Sequence, residues 1–586
     1  SFDEAFLTNY MKINIEPRLS RIAGVGEVNV FGYEYSMRIW LNPSKMRQYG
    51  LVPADISEVL DEQNVEAATG TLGAEASNTF QYVLKYRGRY ENEVDYENLV
   101  IKSLPGGEVL RLKDVATIEL GTRAYDYINE VNGHPGCNIM IAQTSGSNAN
   151  EIIEEIDRTV DEISKTLPKG IKVVDLMSTK DFLDASIKNV IKTLVEAIVL
   201  VVLVVYVFLQ SLRSTFIPAL SIIVSLVGTF AFLYVAGFSL NMLTLFALVL
   251  VIGTVVDDAI VVVEAVQAKF DEGYRSSYLA TVDAMDGITS ALVTTTFVFM
   301  AVFIPVSFIG GTTGTFYTQF GLTMAAAVAI SLVNALTLSP ALCSLIMTPH
   351  ADVSNGSRLS FSSRFHIAFD TAFGRLVMKY KRGVAFMLRR KWFAGLLLVI
   401  VCVGFAILMA TTKTGFVPNE DMGTVFVDVR TSPGNSVSQT RKVMEQVDSC
   451  LRTIPQIELQ SNTTGNSTLS GQGACNGMFT IRLKDWSLRT RKEDALDAVI
   501  SEIQRITAPI SGADIIAFTR PMIPGYGTSS GFEVYVQDQK GGTTDELLKY
   551  TRLFIDSLSR RPEIGRATTS FDTKFPQYLV EVDAAR

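Results

Sequence analysis

Two adjacent acidic residues, Asp257 and Asp258, lie within the strongly apolar stretch GTVVDDAIVVVE, residues 253–264. A charged side chain at the centre of a bilayer costs about 2.5–3.5 kcal/mol, so an ionised pair exposed to lipid would be expensive. Burial and a neighbouring like charge both favour the protonated form of a carboxyl group, whereas a nearby cation favours the carboxylate. A pair held between these influences can load and release a proton, which is the chemistry that a proton-driven machine needs.

Two other roles for the pair are compatible with the sequence. The carboxyl groups could be a buried polar pair that only locks helices together, or they could bind a sodium ion. Successive helical residues point about 100° apart, so the two side chains reach different neighbours. The interiors of the apolar segments contain neither lysine nor arginine. We therefore expect a compensating cation to come from sequence outside this chain.

Composition places the pair in a membrane protein of several domains. The 586 residues are 48% hydrophobic, and the mean hydropathy of +0.25 is high for a soluble protein. The formal net charge of −8 argues against a nucleic-acid partner. Five dispersed cysteines and three histidines show no ligand or disulfide spacing, so we expect no metal site.

Six apolar segments separate two soluble regions that mix helical and strand patterns. Each segment is near the ~20 residues that a helix needs to cross a bilayer. Lysine and arginine concentrate in the loops after the first, third and fifth segments, and such loops face the cytoplasm. Both soluble regions would then lie on the outer side. The predicted spans are about 194–209, 216–236, 240–265, 288–308, 320–346 and 392–409.

The large basic loop at 348–391 contains aromatic and aliphatic residues at helical spacing, among them Phe365, Phe369, Phe373 and Leu376. This pattern predicts an amphipathic helix lying on the inner membrane surface, because apolar spans flank it closely. A helix in a soluble core is the alternative.

An early and a late segment are similar to each other. PRLSRIAGVGEVNVFGYEYSMRIWLNP and DSLSRRPEIGRATTSFDTKFPQYLVEVDA each predict a helix, a turn at Gly26 or Gly565, and two strands. Parallel duplicated halves are common in transporters. If the repeat is real, the chain is an incomplete pump or channel that lacks sequence on both sides.

Several motifs together resemble a known family. VVDDAIVVVE in a span, GVGEVNVFG, SMRIWLNP, KTLVEAIVLVVLVVYVFLQSLRSTFIP, FIGGTTGTFYTQF, LTLSPALC, FVPNEDMGTVFV and RLKDW are similar to segments of the resistance–nodulation–division (RND) exporters, specifically the AcrB-like hydrophobe/amphiphile branch. The likeness spans nearly the whole chain and covers about the middle half of a typical member. It implies a polytopic α-helical membrane protein with α+β periplasmic subdomains, namely ferredoxin-like βαβ porter subdomains and a docking subdomain.

The resemblance implies a division of the chain into seven parts. Residues 1–32 and 125–187 form a porter subdomain, with a docking subdomain inserted at 33–124. Five transmembrane helices at 188–347 precede the cytoplasmic loop at 348–391 and a sixth helix at 392–410. A second porter subdomain occupies 411–525, and a third begins at 526–586.

The resemblance also implies proton-driven efflux, as H⁺/substrate antiport, of amphiphilic or hydrophobic compounds. The family works as homotrimers in the Gram-negative inner membrane, with a periplasmic adaptor (membrane fusion) protein and an outer-membrane channel protein. It needs no cofactor beyond the proton-motive force.

Other function classes are less well supported by the residues. An RND heavy-metal exporter would need clustered soft ligands, and Met478 and Met522 are too sparse. A non-transporting membrane sensor or accessory protein would explain the spans but not the paired acids. A membrane enzyme is disfavoured, because no nucleophile–base or metal motif is present.

Site residues follow from the resemblance alone. The family's proton-carrying aspartates fall on Asp257 and Asp258, and its lysine partner lies outside this chain. Ser467, Leu469 and Thr480 stand where the family usually has phenylalanine, so we expect a changed range of flat ligands. Without the resemblance, Phe31 would be interpreted as a core residue. The implied substrate pocket consists of Asn29, Phe31, Asp126, Tyr127, Met177, Ser467, Leu469 and Thr480, beside a glycine-rich gating loop at Gly471, Gly473 and Gly477, with an outer entrance at Phe518.

Overall fold

The computed structural model describes residues 2–66, 70–73, 80–85, 88–348, 361–412, 420–521 and 531–582. The chain forms two compact units. We call Ser1–Lys180 together with Val417–Arg586 the α/β unit, and Asp181–Phe416 the helical unit. Three predicted features lie wholly or partly outside the described residues. They are the cytoplasmic loop, the boundary between the second and third porter subdomains, and Met522.

The described residues in the first part of the α/β unit form seven α-helices and ten strands. The helices are α1 Glu4–Tyr10, α2 Glu16–Leu19, α3 Pro43–Gln48, α4 Pro53–Gln63, α5 Glu93–Glu97, α6 Leu112–Val115 and α7 Ala149–Thr166, with a π-helical turn at Met11–Ile15 between the first two. The strands are β1 Val25–Phe31, β2 Tyr35–Leu41, β3 Thr71–Leu72, β4 Tyr82–Val83, β5 Val100–Ser103, β6 Val109–Arg111, β7 Ala116–Thr122, β8 Ile128–Val131, β9 His134–Pro135 and β10 Asn138–Gln143.

Two small cores organise this part. Strand β1 pairs antiparallel with β10, and α7 covers the pair through Ile163, which is buried with Ile15 and Leu19. The Asn148 side chain accepts a hydrogen bond from the Asn150 N–H and so caps α7 at its start. Strands β2 and β7 pair over their full length and close the segment between them around a core that includes Leu112 and Val115.

The described residues of the helical unit form eight helices, and these provide six apolar segments long enough to cross a membrane. This confirms the predicted number of long apolar helices. The helices are α8 Thr179–Leu209, α9 Leu212–Val235, α10 Met242–Asp271, α11 Ser277–Val306, α12 Gly311–Leu336, α13 Leu338–Ile346, α14 Phe361–Arg389 and α15 Lys391–Thr411.

The fifth predicted span is divided at Thr337 into α12 and α13. Pro340 has no N–H to donate to the carbonyl of Leu336, and its ring opposes a straight continuation of the helix. The first helix begins well before predicted residue 194, because its polar residues before that point are compatible with a helix even where they are unsuited to lipid.

The predicted helix of the basic loop is confirmed as α14, and its position on the membrane surface stays a prediction. Its Phe369 and Phe373 rings lie 5.6 and 5.8 Å from the Phe208 ring at the end of α8, both edge to face. The aromatic side of α14 is therefore attached to the end of an apolar helix.

The second part of the α/β unit follows the order β-α-β-β-α-β and ends in one further helix. Its elements are β11 Thr424–Thr431, α16 Val437–Leu451, β12 Ile457–Ser467, β13 Gly471–Leu483, α17 Leu496–Thr507, β14 Ala513–Phe518 and α18 Thr544–Ser559.

One antiparallel sheet joins both parts, in the order β14-β11-β13-β12-β8-β9. Alternate residues of its central strands, such as Val427 and Phe479, are fully buried against Met444 of α16 and Ile503 of α17. Because side chains alternate along a strand, the residues between them face the other way. We call that second side, which carries Phe426, Asp428, Thr480 and Phe518, the distal face.

The late half of the proposed repeat is only partly correct. Helix α18 forms as predicted, but the described residues 565–582 contain no strand. The same is true of residues 531–538, GFEVYVQD, whose β-rich composition also predicts a strand. An extended segment becomes a strand only when its backbone groups pair with a neighbour. Among the described residues neither segment has such a neighbour.

Candidate functional site

The acidic pair lies on the central helix of the helical unit. Helix α10 packs against α9, α11, α12 and α13, and Val255 and Val256, which precede the pair, are buried. Asp258 is partly buried, whereas Asp257 is exposed on the surface of the unit. The two carboxyl groups therefore face different surroundings, as their helical spacing requires.

Ser331 of α12 is the direct partner of Asp258. Its hydroxyl oxygen lies 2.7 Å from the Asp258 Oδ2 atom and 3.0 Å from the Val255 carbonyl oxygen. A serine hydroxyl has one hydrogen to donate, so it can serve only one of these acceptors at a time. An ionised Asp258 accepts that hydrogen, whereas a protonated Asp258 can donate to Ser331 and leave the serine hydrogen for Val255.

A second polar contact lies one helical turn away. The Asn334 amide nitrogen donates to the Ser225 hydroxyl of α9 at 2.7 Å, and both groups are buried. Helices α9, α10 and α12 thus meet along a seam with two hydrogen-bonded polar pairs inside apolar packing. Among the described residues, no group of three or more histidine, cysteine or acidic side chains is arranged to hold a metal.

In the α/β unit, two predicted site residues share a row across the distal face. Phe426 of β11 is opposite Thr480 of β13 on one side and opposite Phe518 of β14 on the other. Directly opposed residues place their Cβ atoms about 4.5–5.5 Å apart on one side of a sheet. The Phe426 and Phe518 rings stack with centroids 5.7 Å apart. The predicted pocket position and the predicted entrance position are therefore neighbours of the same aromatic ring.

Asp428 lies two residues along β11 and points to the same face. It is only 2% exposed, and it accepts hydrogen bonds from the hydroxyls of Ser467 and, at 2.7 Å, Ser470. Burial raises the pKa of this carboxyl group. Ser467 in turn accepts from the backbone N–H of Leu469 at 3.1 Å. Of the predicted pocket residues, Ser467 is thus the last residue of β12, and Leu469 lies in the turn that follows it.

The prediction that the glycine-rich segment is a loop is wrong. Gly471, Gly473 and Gly477 lie in strand β13. Between the pairs Asn466–Gln472 and Thr464–Gly477, β12 has one residue where β13 has four, so the strand bulges there. A Cβ atom on Gly477 would lie 2.5 Å from the Met444 sulfur, which explains a glycine at that point. The proposed gating role stays a prediction.

Asp126 and Tyr127 lie beside the β12–β13 hairpin. A Cβ atom on Gly465 would lie 1.7 Å from the Asp126 carbonyl oxygen, so the two backbones touch. The Tyr127 ring packs edge-on against Tyr33 at 6.3 Å. Burial raises the pKa of Tyr127, and its hydroxyl bonds to Thr463. These two predicted residues are thus attached to the hairpin that supplies Ser467 and Leu469.

Asn29 and Phe31 lie on β1, on the side away from its core residue Val28. Phe31 is opposite Asn138 of β10, whose amide nitrogen lies 3.1 Å from the Ser461 hydroxyl. Ser461 is opposite Thr480, so a short polar path connects Phe31 with the Thr480 row.

Met177 is half exposed and follows Asp175 by two residues. The Asp175 carbonyl oxygen accepts a hydrogen bond of 2.9 Å from the Arg482 guanidinium. Since Arg482 and Thr480 project from the same side of β13, the segment that carries Met177 is attached next to the Thr480 row.

A family model described as the AcrB/AcrD/AcrF family matches residues 1–586. The chain belongs to the AcrB/AcrD/AcrF family. The resemblance inferred from the motifs is thereby confirmed at the level of the family.

Curated relatives of this AcrB/AcrD/AcrF family member are similar over almost all of its length. The multidrug/solvent efflux pump membrane transporter MepB of Pseudomonas putida is 34% identical over 99% of this chain and 55% of its own length. The multidrug resistance protein MdtF of Escherichia coli K12 is 34% identical over all of this chain and 56% of its own. The multidrug export protein AcrF of the same strain is 35% identical over 95% of this chain and 54% of its own.

The chain spans about half the length of the curated relatives it matches. None of the three relatives bears the name of an enzyme, which agrees with the prediction that this family member is a transporter.

Three residues that the sequence reasoning missed contribute to the site of this family member. Ser331 could have been found from its spacing, because Ser331 and Asn334 are polar positions one turn apart in an apolar helix. Asp428 interrupts the apolar run VFVDV, which is a signal for a buried acid. No signal pointed to Arg520, which stacks on Phe426 from beyond the end of β14.

Proposed function

We propose that this chain is part of a pump that exports amphiphilic or hydrophobic compounds in exchange for protons. The observation that carries the proposal is the Asp258–Ser331 hydrogen bond on the central helix of an apolar bundle, with Asp257 beside it. The names of the relatives, which include a solvent efflux pump and a multidrug export protein, support the substrate class.

Proton binding changes the hydrogen bonds between α10 and α12. In the ionised state, Asp258 accepts the hydrogen bond from the Ser331 hydroxyl, and the Val255 carbonyl does not receive that hydrogen bond. In the protonated state, Asp258 donates and the serine hydrogen returns to Val255. The two hydrogen-bond arrangements have similar geometry and differ by one proton. Binding of that proton can therefore shift the packing of α10 against α12. Each charge that crosses the membrane potential supplies about 2.3 kcal/mol per 100 mV.

The α/β unit would capture and release the substrate. Its second part has the β-α-β-β-α-β element order of a ferredoxin-like subdomain, and we assign it as a porter subdomain. The distal-face row through Thr480 and Phe518, and the hairpin with Ser467 and Leu469, supply its predicted pocket. In this proposal both parts of the unit lie in the periplasm of a Gram-negative cell.

The partners follow the proposed family function. The pump works as a homotrimer in the inner membrane, together with a periplasmic adaptor and an outer-membrane channel. The aromatic side of α14, attached to Phe208, supports a position of that helix at the inner membrane surface.

Efflux by the full-length protein tests the proposal. Cells that lack other pumps would produce the wild type, Asp257→Asn or Asp258→Asn, and accumulation of a fluorescent dye would be measured. We expect either variant to abolish efflux while expression and assembly persist. Glu264→Gln, on the same helix, is the matched control and should keep efflux. Normal efflux in either aspartate variant would refute the proton relay.

A further inference from the structure

Arg520 holds a positive charge above an aromatic ring on the distal face. Its guanidinium carbon lies 4.5 Å from the centroid of the Phe426 ring. The side chain comes from just beyond Phe518, the last residue of β14, and folds back over the neighbouring strand. A guanidinium stacked on a ring keeps its N–H groups free at its edge, where they can bind a planar oxyanion with two parallel hydrogen bonds.

The acidic groups near this face already have partners. Asp428 accepts from two serine hydroxyls. Asp514 pairs with Arg566 at 2.5 Å, and Asp572 lies 3.8 Å from Arg430. Within the described ranges, Arg520 itself has neither a hydrogen-bond acceptor nor a carboxylate partner. Desolvation alone lowers the pKa of Arg520, so no nearby anion offsets its partial burial.

An apolar surface continues from this charge. Phe426 is almost fully buried, whereas Phe518 and Thr480 are partly exposed and lie on either side of it. The partly exposed Phe518 ring, which is stacked on the buried Phe426 ring, gives an apolar surface against which an alkyl or aromatic body can lie. Arg520 stacks on the same Phe426 ring. A cationic amphiphile would gain the apolar contact but would be repelled by the guanidinium.

We propose that the Arg520–Phe426–Phe518 cluster is a binding site for anionic amphiphiles, with a carboxylate on the guanidinium and an apolar body against Phe518. The assignment rests on the proposed export function, because it names a substrate class for the same distal face. It adds a charge preference that neither the family membership nor the names of the relatives contain.

Two amphiphiles of equal chain length provide the test. Full-length protein in lipid nanodiscs would be titrated at pH 7.5 with 11-(dansylamino)undecanoic acid, and the probe would be displaced by dodecanoate or by dodecyltrimethylammonium. Loss of a charge-assisted hydrogen-bond pair predicts that Arg520→Gln weakens dodecanoate binding by about tenfold or more. Binding of dodecyltrimethylammonium should stay within about twofold or improve, since the repulsive charge is gone.

Three further variants sharpen the result. Arg520→Lys keeps the charge but not the planar fork, so dodecanoate binding should lie between wild type and Arg520→Gln. Phe518→Ala should weaken both amphiphiles. Arg505→Gln removes a surface arginine of α17 that is paired with Glu502 and should change neither.

Equal dodecanoate affinity in wild type and Arg520→Gln would overturn the proposal, as would equal losses for both amphiphiles. Asp258→Asn separates this inference from the proposed function. If the wild type binds dodecanoate selectively through Arg520 but shows no proton-coupled export, only the proposed pump function is refuted. If it exports in a proton-coupled way but binds both amphiphiles alike, only the anion site is refuted.

Discussion

Asp258 and Asp428 are two acids in apolar surroundings that accept hydrogen bonds from serine hydroxyls, yet their settings differ. Asp428 lies in the middle of β11 and receives two donors from one tight turn. Asp258 lies on a helix and has one donor, which it shares with the Val255 carbonyl. Two dedicated donors hold a carboxyl group in one arrangement, whereas one shared donor leaves two arrangements available.

This difference assigns separate tasks to the two acids. The acid of the sheet should contribute to stability, and the acid of the helix should contribute to proton-coupled transport. Replacement of Asp428 should therefore lower stability and leave transport intact, whereas replacement of Asp258 should leave stability intact and abolish transport. Both quantities can be measured on the same purified protein.

The largest expected effect on stability comes from Gly465→Ala, which disturbs the hairpin that supplies both donors of Asp428. The new Cβ atom would lie 1.7 Å from the Asp126 carbonyl oxygen, at a residue with φ of +98°. Overpacking against backbone and a left-handed conformation together predict a loss of about 4 kcal/mol in the free energy of unfolding of the α/β unit. Thermal unfolding of the purified protein would measure it.

Gly471→Ala is the matched control in the same hairpin. Its φ is +82°, but nothing lies within 4 Å of the new Cβ atom, so only about 1 kcal/mol of conformational strain is expected. Equal losses in the two variants would show that the contact with Asp126 does not hold the hairpin in place.

Asp428→Ala should have the next largest effect. It leaves the buried Ser467 hydroxyl and the partly buried Ser470 hydroxyl without their acceptor, which predicts a loss of about 2–3 kcal/mol. Proton-coupled export should persist in whatever protein remains folded. Full stability together with lost proton coupling would reverse the proposed division between the two acids.

Glu4→Gln should have the smallest effect on stability. It tests an acid of the α/β unit that, unlike Asp428, is expected to change its protonation state near neutral pH. Glu4 of α1 accepts a hydrogen bond from the Asn129 N–H at 3.1 Å, and burial raises its pKa from 4.5 to about 7, with Glu130 and Asp3 acting in the same direction and Arg441 against them. A raised pKa means that the folded state binds the extra proton between these two values. Stability from Glu4 is therefore full below pH 4.5 and is lost as the pH rises through 7.

Glutamine removes this dependence, because it cannot ionise. Relative to wild type, the variant should gain about 1–2 kcal/mol at pH 8 and nothing at pH 4.5, after allowance for partial exposure of the site. Thermal unfolding across this pH range would measure the change. Parallel pH profiles for the two proteins would show that Glu4 does not titrate near neutral pH.

The helical unit was predictable from sequence because its signal is local. Length and hydropathy define the long helices, and the acidic pair stands out against them. Pro340 predicts a bend in the fifth span, and the division at Thr337 lies close to it. The partner Ser331 lies 73 residues from Asp258, and helix packing rather than local pattern decides that contact.

The distal face was not predictable in the same way. Strand patterns identified β1, β2 and β11. The position of Phe426 between Thr480 and Phe518, however, depends on the register of β11 against its two neighbouring strands, and no local sequence rule fixes that register. The glycines predicted as a loop lie within β13, with Gly473 in its bulge, because the turn comes earlier, at residues 468–470. The late segment at 565–582 has strand-like composition, yet composition alone cannot supply a pairing partner.

The shared sheet has a consequence for biosynthesis. Strand β8 bonds to β12, and the Asn138–Ser461 contact beside it joins residues 323 positions apart. A ribosome makes β8 first and β12 only after all six apolar helices, so the first strand must wait with an unpaired edge through the whole period of membrane insertion. Such an edge is prone to wrong pairing, so the delay between the two strands is the step of synthesis at which this sheet is most exposed to misfolding.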